Sequence, residues 1–144
     1  ARRVGRELLI EIIAGKNGPM KDDTVSTALQ ELYDLGIKPD WWKLEPQASS
    51  TAWQNIEAVI ARNDAYCRGI VLLGLEAPTE DLAKAFEATT VAPSVKGFAV
   101  GRTIFVDAAR AWMAGKIDDE AAITDMASRF RELTDAWLRT RGLQ

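Results

Sequence analysis

The chain has 144 residues, 47% of them hydrophobic and 27% charged, enough for one soluble domain with a sizeable core. Its 18 Lys+Arg against 21 Asp+Glu leave a net charge of −3, so composition gives no electrostatic footprint for nucleic acid. With no histidine and one cysteine, a Ser-His-Asp triad, a Cys-His pair and a histidine zinc helix are excluded. A catalyst built from this chain must use Lys, Arg, Asp, Glu, Tyr or backbone amides.

The apolar run Leu8–Ala14, closed by Gly15 and Gly18-Pro19, predicts a strand buried on both faces. Asp22-Asp23-Thr24 predicts a helix cap, and Val25, Leu29, Leu32 and Leu35 follow at helical spacing until Gly36. Trp41-Trp42-Lys43-Leu44-Glu45, bounded by Pro39 and Pro46, predicts a second strand. Ser49-Ser50 caps a helix through Trp53, Ile56, Val59 and Ile60, ending near Asn63-Asp64. The third strand is Gly69–Leu75, and Pro78 opens its helix, with Leu82, Ala85 and Phe86 on the apolar face. Val95–Val100 is the fourth strand, followed by a helix from Thr103 to Gly115. Asp118-Asp119-Glu120 caps a last long helix whose apolar face carries Ala122, Met126, Phe130, Leu133 and Trp137. Trp112 and Trp137 are expected in the core.

Strands alternating with helices at roughly 30-residue spacing imply an α/β fold with a parallel sheet and right-handed crossovers. No linker or repeat interrupts the pattern, so residues 1–144 are taken as one domain. Two architectures fit, a small doubly wound sheet and half of a (β/α)8 barrel, since a full barrel needs about 250 residues. The opening Ala1-Arg2-Arg3, in place of Met, points to a processed product or a fragment. Cys67 alone makes no intrachain disulfide, so a reducing, cytoplasmic compartment is expected and Cys67 is assigned to packing. No apolar run approaches the roughly 18 residues of a membrane span and no signal peptide opens the chain, so no membrane partner is expected.

In either architecture ligands bind at the carboxyl ends of the strands. The polar groups there are Glu11 and Lys16, Lys43 and Glu45, Gly74 and Glu76, and Gly101 and Arg102. Strand alternation puts Trp41, Lys43 and Glu45 on one face and Trp42 and Leu44 on the other. A lysine amine desolvated among apolar groups becomes a nucleophile toward carbonyls; the alternative is a stem that packs while the ammonium reaches solvent. Glu11, between Ile10 and Ile12, is either functional, as a general acid or base or as the counter-charge to Lys43, or part of a structural ion pair with a neighbouring Lys or Arg. Glu45 either orients the lysine and relays protons or is a surface carboxylate at a strand end. Gly97–Arg102 ends a strand and opens a helix. Glycine admits an anion to the backbone amides there and Arg102 adds a fork of donors, so with Gly74 it forms a candidate phosphate cradle. The glycines could equally serve only the turn. Asp118-Asp119-Glu120 is read as a cap and not as a metal site.

Trp42-Lys43-Leu44-Glu45-Pro46 resembles the Lys-Val-Glu-Phe-Pro type of motif of class I tagatose-bisphosphate aldolases. Leu9-Ile10-Glu11 resembles the fifth strand of those enzymes, and Gly97–Arg102 their eighth-strand phosphate motif. The Trp-Trp-Lys-Leu-Glu-Pro and Gly-Phe-Ala-Val-Gly-Arg-Thr-Ile-Phe stretches are more similar still to the aldolase-like domain fused to 5-dehydro-2-deoxygluconokinase in bacterial myo-inositol catabolism. The resemblance implies strands five to eight of a (β/α)8 barrel and a lyase acting on 2-deoxy-5-keto-gluconate 6-phosphate. In that reading Lys43 forms the Schiff base, Glu11 or Glu45 moves protons, and Gly74, Gly101 and Arg102 anchor the phosphate. No cofactor or metal is implied. The third strand departs from the bisphosphate aldolases, ending Leu73-Gly74-Leu75-Glu76 where they carry a Ser-rich, Gly-containing turn. The expected partners are a phosphorylated sugar and either a second copy, the missing half-barrel or a fused sugar kinase. The competing function is a non-catalytic phosphosugar-binding module that regulates such a kinase.

Overall fold

Short apolar runs punctuated by glycine and proline become strands, and the capped, 3.6-periodic stretches between them become helices. In the computed structural model, which describes residues 1–143, the order is β1 Leu9–Ile12, α1 Thr24–Asp34, β2 Trp41–Leu44, α2 Ser50–Asn63, β3 Gly69–Leu72, α3 Thr79–Ala88, β4 Val95–Phe98, α4 Arg102–Met113 and α5 Asp119–Thr140. The strands pair in parallel in the order β1-β2-β3-β4, the α/β arrangement expected. Each strand is four residues long, shorter than its apolar run, because the chain leaves the ladder at the carboxyl end to form a loop. Ser49 and Asp118 cap α2 and α5 as their sequences imply, accepting hydrogen bonds from the amides of Ala52 and Ala121.

The chain divides into two compact units, Ala1–Leu73 with Ala88–Ala99, and Gly74–Glu87 with Val100–Gln144. The first unit holds the sheet with α1 and α2. Its core is built on one face of β2, where Trp42 and Leu44 are fully buried together with Ile70 and Leu72 of β3. β1 corrects an expectation. It is not buried on both faces: Leu8 is 36% exposed and Leu9 46%. The residues Leu-Ile-Glu-Ile suit a buried strand, but among the described residues β1 is ladder-paired only to β2, and burial is set by neighbours as much as by side chains.

Tyr33 of α1 locks onto β2. Its hydroxyl accepts a 2.9 Å hydrogen bond from Trp42 Nε1, and the two rings meet edge to face with centroids 5.6 Å apart. Burial, outweighing the Trp42 hydrogen bond, pushes the Tyr33 hydroxyl up to about 12. Below the ordinary tyrosine value of about 10, both folded and unfolded chains keep this proton. As pH rises further the unfolded chain releases it first, so the Tyr33 contribution is fully present below about pH 10 and is lost through about pH 12. Thermal melts followed by circular dichroism from about pH 9 to 12 should show this decline. Tyr33→Phe should flatten it, although from a lower starting stability; an equally steep decline in that variant would assign it to other groups.

The second unit packs α4 against α5, with Phe86 of α3 edge to face with Trp137, 5.4 Å between centroids, and the Arg141 guanidinium 4.3 Å from the Trp137 ring centre. Burial lowers the pKa of Arg141. Trp112 and Phe130 depart from the expected core, at 48% and 53% exposed. The buried stripe of α5 runs through Ala122, Leu133 and Ala136, one step round from Phe130. Trp112 lies at the edge of α4 and donates its indole N–H to Asp119 at 2.6 Å.

Candidate active site

The parallel register lays four residues in one row across the sheet: Glu11 opposite Lys43, Lys43 opposite Val71, and Val71 opposite Gly97. This row faces away from Trp42 and Leu44, because side chains alternate along each strand. Lys43 Nζ lies 2.9 Å from Glu11 Oε1, with the lysine side chain 25% exposed and the glutamate 40%. The ammonium is therefore partly screened and paired, and is not lodged in an apolar pocket. At Gly97 a Cβ would meet nothing within 4 Å, so the row is open at its β4 end.

Glu45 lies one residue beyond β2, where strand alternation lapses. Glu45 is 4% exposed, and its Oε2 accepts a 2.9 Å hydrogen bond from the Gly15 amide in the loop after β1. A Cβ on Gly15 would sit 2.8 Å from Glu45 Oε1, so glycine is required for this approach. Gln47 Nε2 donates to the Glu45 carbonyl at 2.7 Å and fixes the turn. Lys43 is thus joined to Glu11, and Glu45 to the β1 loop.

Three carboxylates that sequence reasoning did not single out brace this unit. Glu7 pairs with Arg68 at 2.8 Å and accepts from Trp41 Nε1 at 2.7 Å. Asp40 accepts the Leu8 amide at 2.8 Å. Glu57 of α2 accepts from the Ser94 amide at 2.8 Å and from its hydroxyl at 2.7 Å, at the entrance to β4. Their partners lie tens of residues away, and no local pattern in the sequence marks them. Cys67 is half-buried, its Sγ 3.9 Å from the carbonyls of Asp40 and Gly69, and burial pushes its thiol up.

The phosphate candidates lie in the second unit. Gly101 is the N-cap of α4 and offers no side-chain cap, and Arg102 is the first helical residue. Arg102 forms an ion pair with Glu76. A Cβ on Gly74 would lie 2.8 Å from Val100 Cγ1 and 3.2 Å from Thr103 Oγ1, so Gly74 sits directly against the start of α4. Between Gly74 and Glu76 the backbone turns through two left-handed residues, Leu75 at φ 47° and Glu76 at φ 63°. Among the described residues no group of three or more His, Cys, Asp or Glu could hold a metal ion, and no helix is long and apolar enough to cross a membrane.

Residues 1–141 match the family described as "uncharacterized protein conserved in bacteria", DUF2090. The chain belongs to DUF2090. A search of curated proteins finds no match to this DUF2090 chain. Among solved structures it is similar to fructose-bisphosphate aldolase from Plasmodium falciparum, crystallised with TRAP and a small-molecule inhibitor, at TM-score 0.61 and 13% identity. The alignment covers 93% of the DUF2090 chain and 45% of the aldolase, so the chain spans less than half the length of that neighbour. At this identity the likeness is one of fold: the DUF2090 chain has an aldolase-like α/β architecture.

Proposed function

We propose that the chain is part of a carbon-carbon lyase that cleaves a phosphorylated keto sugar acid through a Schiff base on Lys43. The observation that carries this reading is the Lys43–Glu11 ion pair, set at the β1–β2 end of the row on the open face of a parallel sheet with an aldolase-like fold. Glu11 is close enough to accept the Lys43 proton, leaving a neutral amine and a carboxylic acid. The amine adds to the substrate ketone, and the acid returns its proton to the carbinolamine hydroxyl, which leaves as water. The resulting protonated imine withdraws the electron pair of the bond between the α and β carbons, while Glu11 takes the proton of the β-hydroxyl. An aldehyde departs. The enamine is then protonated and hydrolysed, releasing the second product and free Lys43.

Glu45, held by the Gly15 amide, positions the β1 loop and the strand end that carries Lys43. Gly74, Gly101 and Arg102 are the phosphate-anchoring residues of this reading. The substrate favoured by the sequence resemblance is 2-deoxy-5-keto-gluconate 6-phosphate, giving dihydroxyacetone phosphate and malonate semialdehyde. Because the chain spans 45% of the aldolase it resembles, the reading includes a second half-barrel, from the same polypeptide or from another copy, that covers the β1 edge. A fused sugar kinase and a cytoplasmic setting belong to the same proposal.

The test is borohydride trapping with dihydroxyacetone phosphate, read by peptide mass spectrometry. The expected result is an adduct on Lys43, present in the wild type and abolished in Lys43→Met. No adduct on a folded protein that carries both half-barrels would sink the lyase. It would favour a phosphosugar-binding module regulating an attached kinase, a role in which Lys43 simply neutralises Glu11.

A further inference from the structure

We propose that Glu76 is a built-in competitor for the anion site at the start of α4: its carboxylate holds Arg102, and a phosphate monoester binds there by displacing it. The inference rests on the phosphate-anchoring part of the proposed function and adds a residue that controls it.

Three observations converge. First, the amino end of α4 has positive helix-end potential without a capping side chain, and the charge that answers it is carried by Arg102's partner, Glu76. Second, Thr103, in the first turn of α4, is only 9% exposed, and its buried Oγ1 has no hydrogen-bond partner among the described residues. A hydroxyl so placed is costly unless something pairs with it. Thr103 and Glu76 line the same cleft of about 370 Å³, together with Thr79 and with Arg110 and Arg129, both of which pair with Asp107 there. Third, Glu76 reaches Arg102 from a turn in which it and Leu75 both hold positive φ. Side-chain-bearing residues rarely adopt that conformation, so the ion pair helps to keep the turn wound.

A phosphoryl dianion satisfies the same guanidinium with more charge than a carboxylate and brings oxygens that can accept from Thr103 Oγ1. It cannot share Arg102 closely with Glu76, because the two anions repel. Binding therefore releases Glu76 and lets the Leu75-Glu76 turn unwind. The loop after β3 then reports whether phosphate is bound.

The experiment is calorimetric titration of inorganic phosphate into the folded chain and its variants, with melting curves to establish folding. Glu76→Gln keeps the shape and removes the charge, and is expected to tighten phosphate binding about threefold to tenfold, since an exposed pair and one like-charge repulsion are lost together. Glu76→Ala should act in the same direction. Arg102→Gln should weaken binding by about tenfold or more, and Thr103→Val should weaken it severalfold. Glu80→Gln removes another exposed charge, from the first turn of α3, and should change affinity by less than about twofold. If Arg102→Gln weakens binding but Glu76→Gln and Glu76→Ala leave it unchanged or weaker, Glu76 is no competitor while the phosphate anchor stands. If no variant binds phosphate, the anchor fails and the competitor with it. The Schiff-base step is judged separately, by trapping at Lys43.

Discussion

Trp42→Ala is expected to lower the unfolding free energy by about 3–5 kcal/mol, in the range of large aromatic truncations at buried sites. Trp42 has no exposed surface, sits in register with Ile10 of β1 and Ile70 of β3, and is stacked edge-on against Tyr33. Alanine would leave a cavity bounded by strands that the backbone ladder holds in place, so little collapse can refill it. The Tyr33 hydroxyl would also lose the indole donor at 2.9 Å. Against a total stability of about 5–15 kcal/mol for a domain, such a loss leaves a chain that unfolds in mild urea. Urea titration followed by circular dichroism measures it. Trp41→Ala, on the opposite face with its indole bonded to Glu7, serves as the comparison and should cost clearly less. A Trp42→Ala loss below about 1.5 kcal/mol would show that the core of the first unit does not hinge on β2.

Gly69→Val is the second large effect. Gly69 opens β3 at φ 146°, a conformation that side-chain-bearing residues rarely adopt. A Cβ there would lie 2.6 Å from the Ser94 carbonyl oxygen and 2.6 Å from Lys96 Cγ. The lysine stem can move. The carbonyl cannot, because it accepts the Ile70 amide at 2.8 Å and so begins the β3–β4 ladder. The substitution combines backbone strain with a broken ladder bond, for an expected loss of about 3 kcal/mol or more. Gly97→Ala is the contrast: a Cβ there meets nothing within 4 Å, and the loss should stay within about 1 kcal/mol. Equal losses at the two glycines would mean that strand entropy, and not the Ser94 contact, sets the cost.

The parallel α/β pattern was legible because apolar runs, prolines and caps are local signals. The departures lie where the answer depends on distant neighbours. Leu9 belongs to a run that reads as fully buried, yet β1 has β2 as its ladder partner and its side chains stay partly exposed. Trp112 follows the apolar period of α4 but ends at the rim, where Asp119 takes its N–H. At the candidate site, alternation puts Lys43 on the face opposite Trp42 and Leu44, and a counter-charge pairing with Glu11 is one of the options it leaves. What the sequence could not supply was register: Glu11 stands opposite Lys43 only because β1 and β2 pair Leu9 with Trp41. Glu45 was counted on the Lys43 face by continuing the alternation, but the strand stops at Leu44 and the carboxylate turns to Gly15. Arg102 was legible as a helix-start cation, whereas its bond to Glu76 depends on a left-handed turn in residues that give no glycine signal for it.

The strand order β1-β2-β3-β4 also governs how the molecule can be assembled. Every ladder joins strands only about thirty residues apart, so no strand must wait for a distant later segment before it can dock. During synthesis from the amino end, each new strand meets a ready-made edge, and the closure entropy of each step is that of one helix-bearing loop. The topology therefore allows the sheet to grow in the direction of translation. Shortening it from the β4 side removes strands in reverse order, leaving the β1–β2 ladder and its Glu11–Lys43 pair until last.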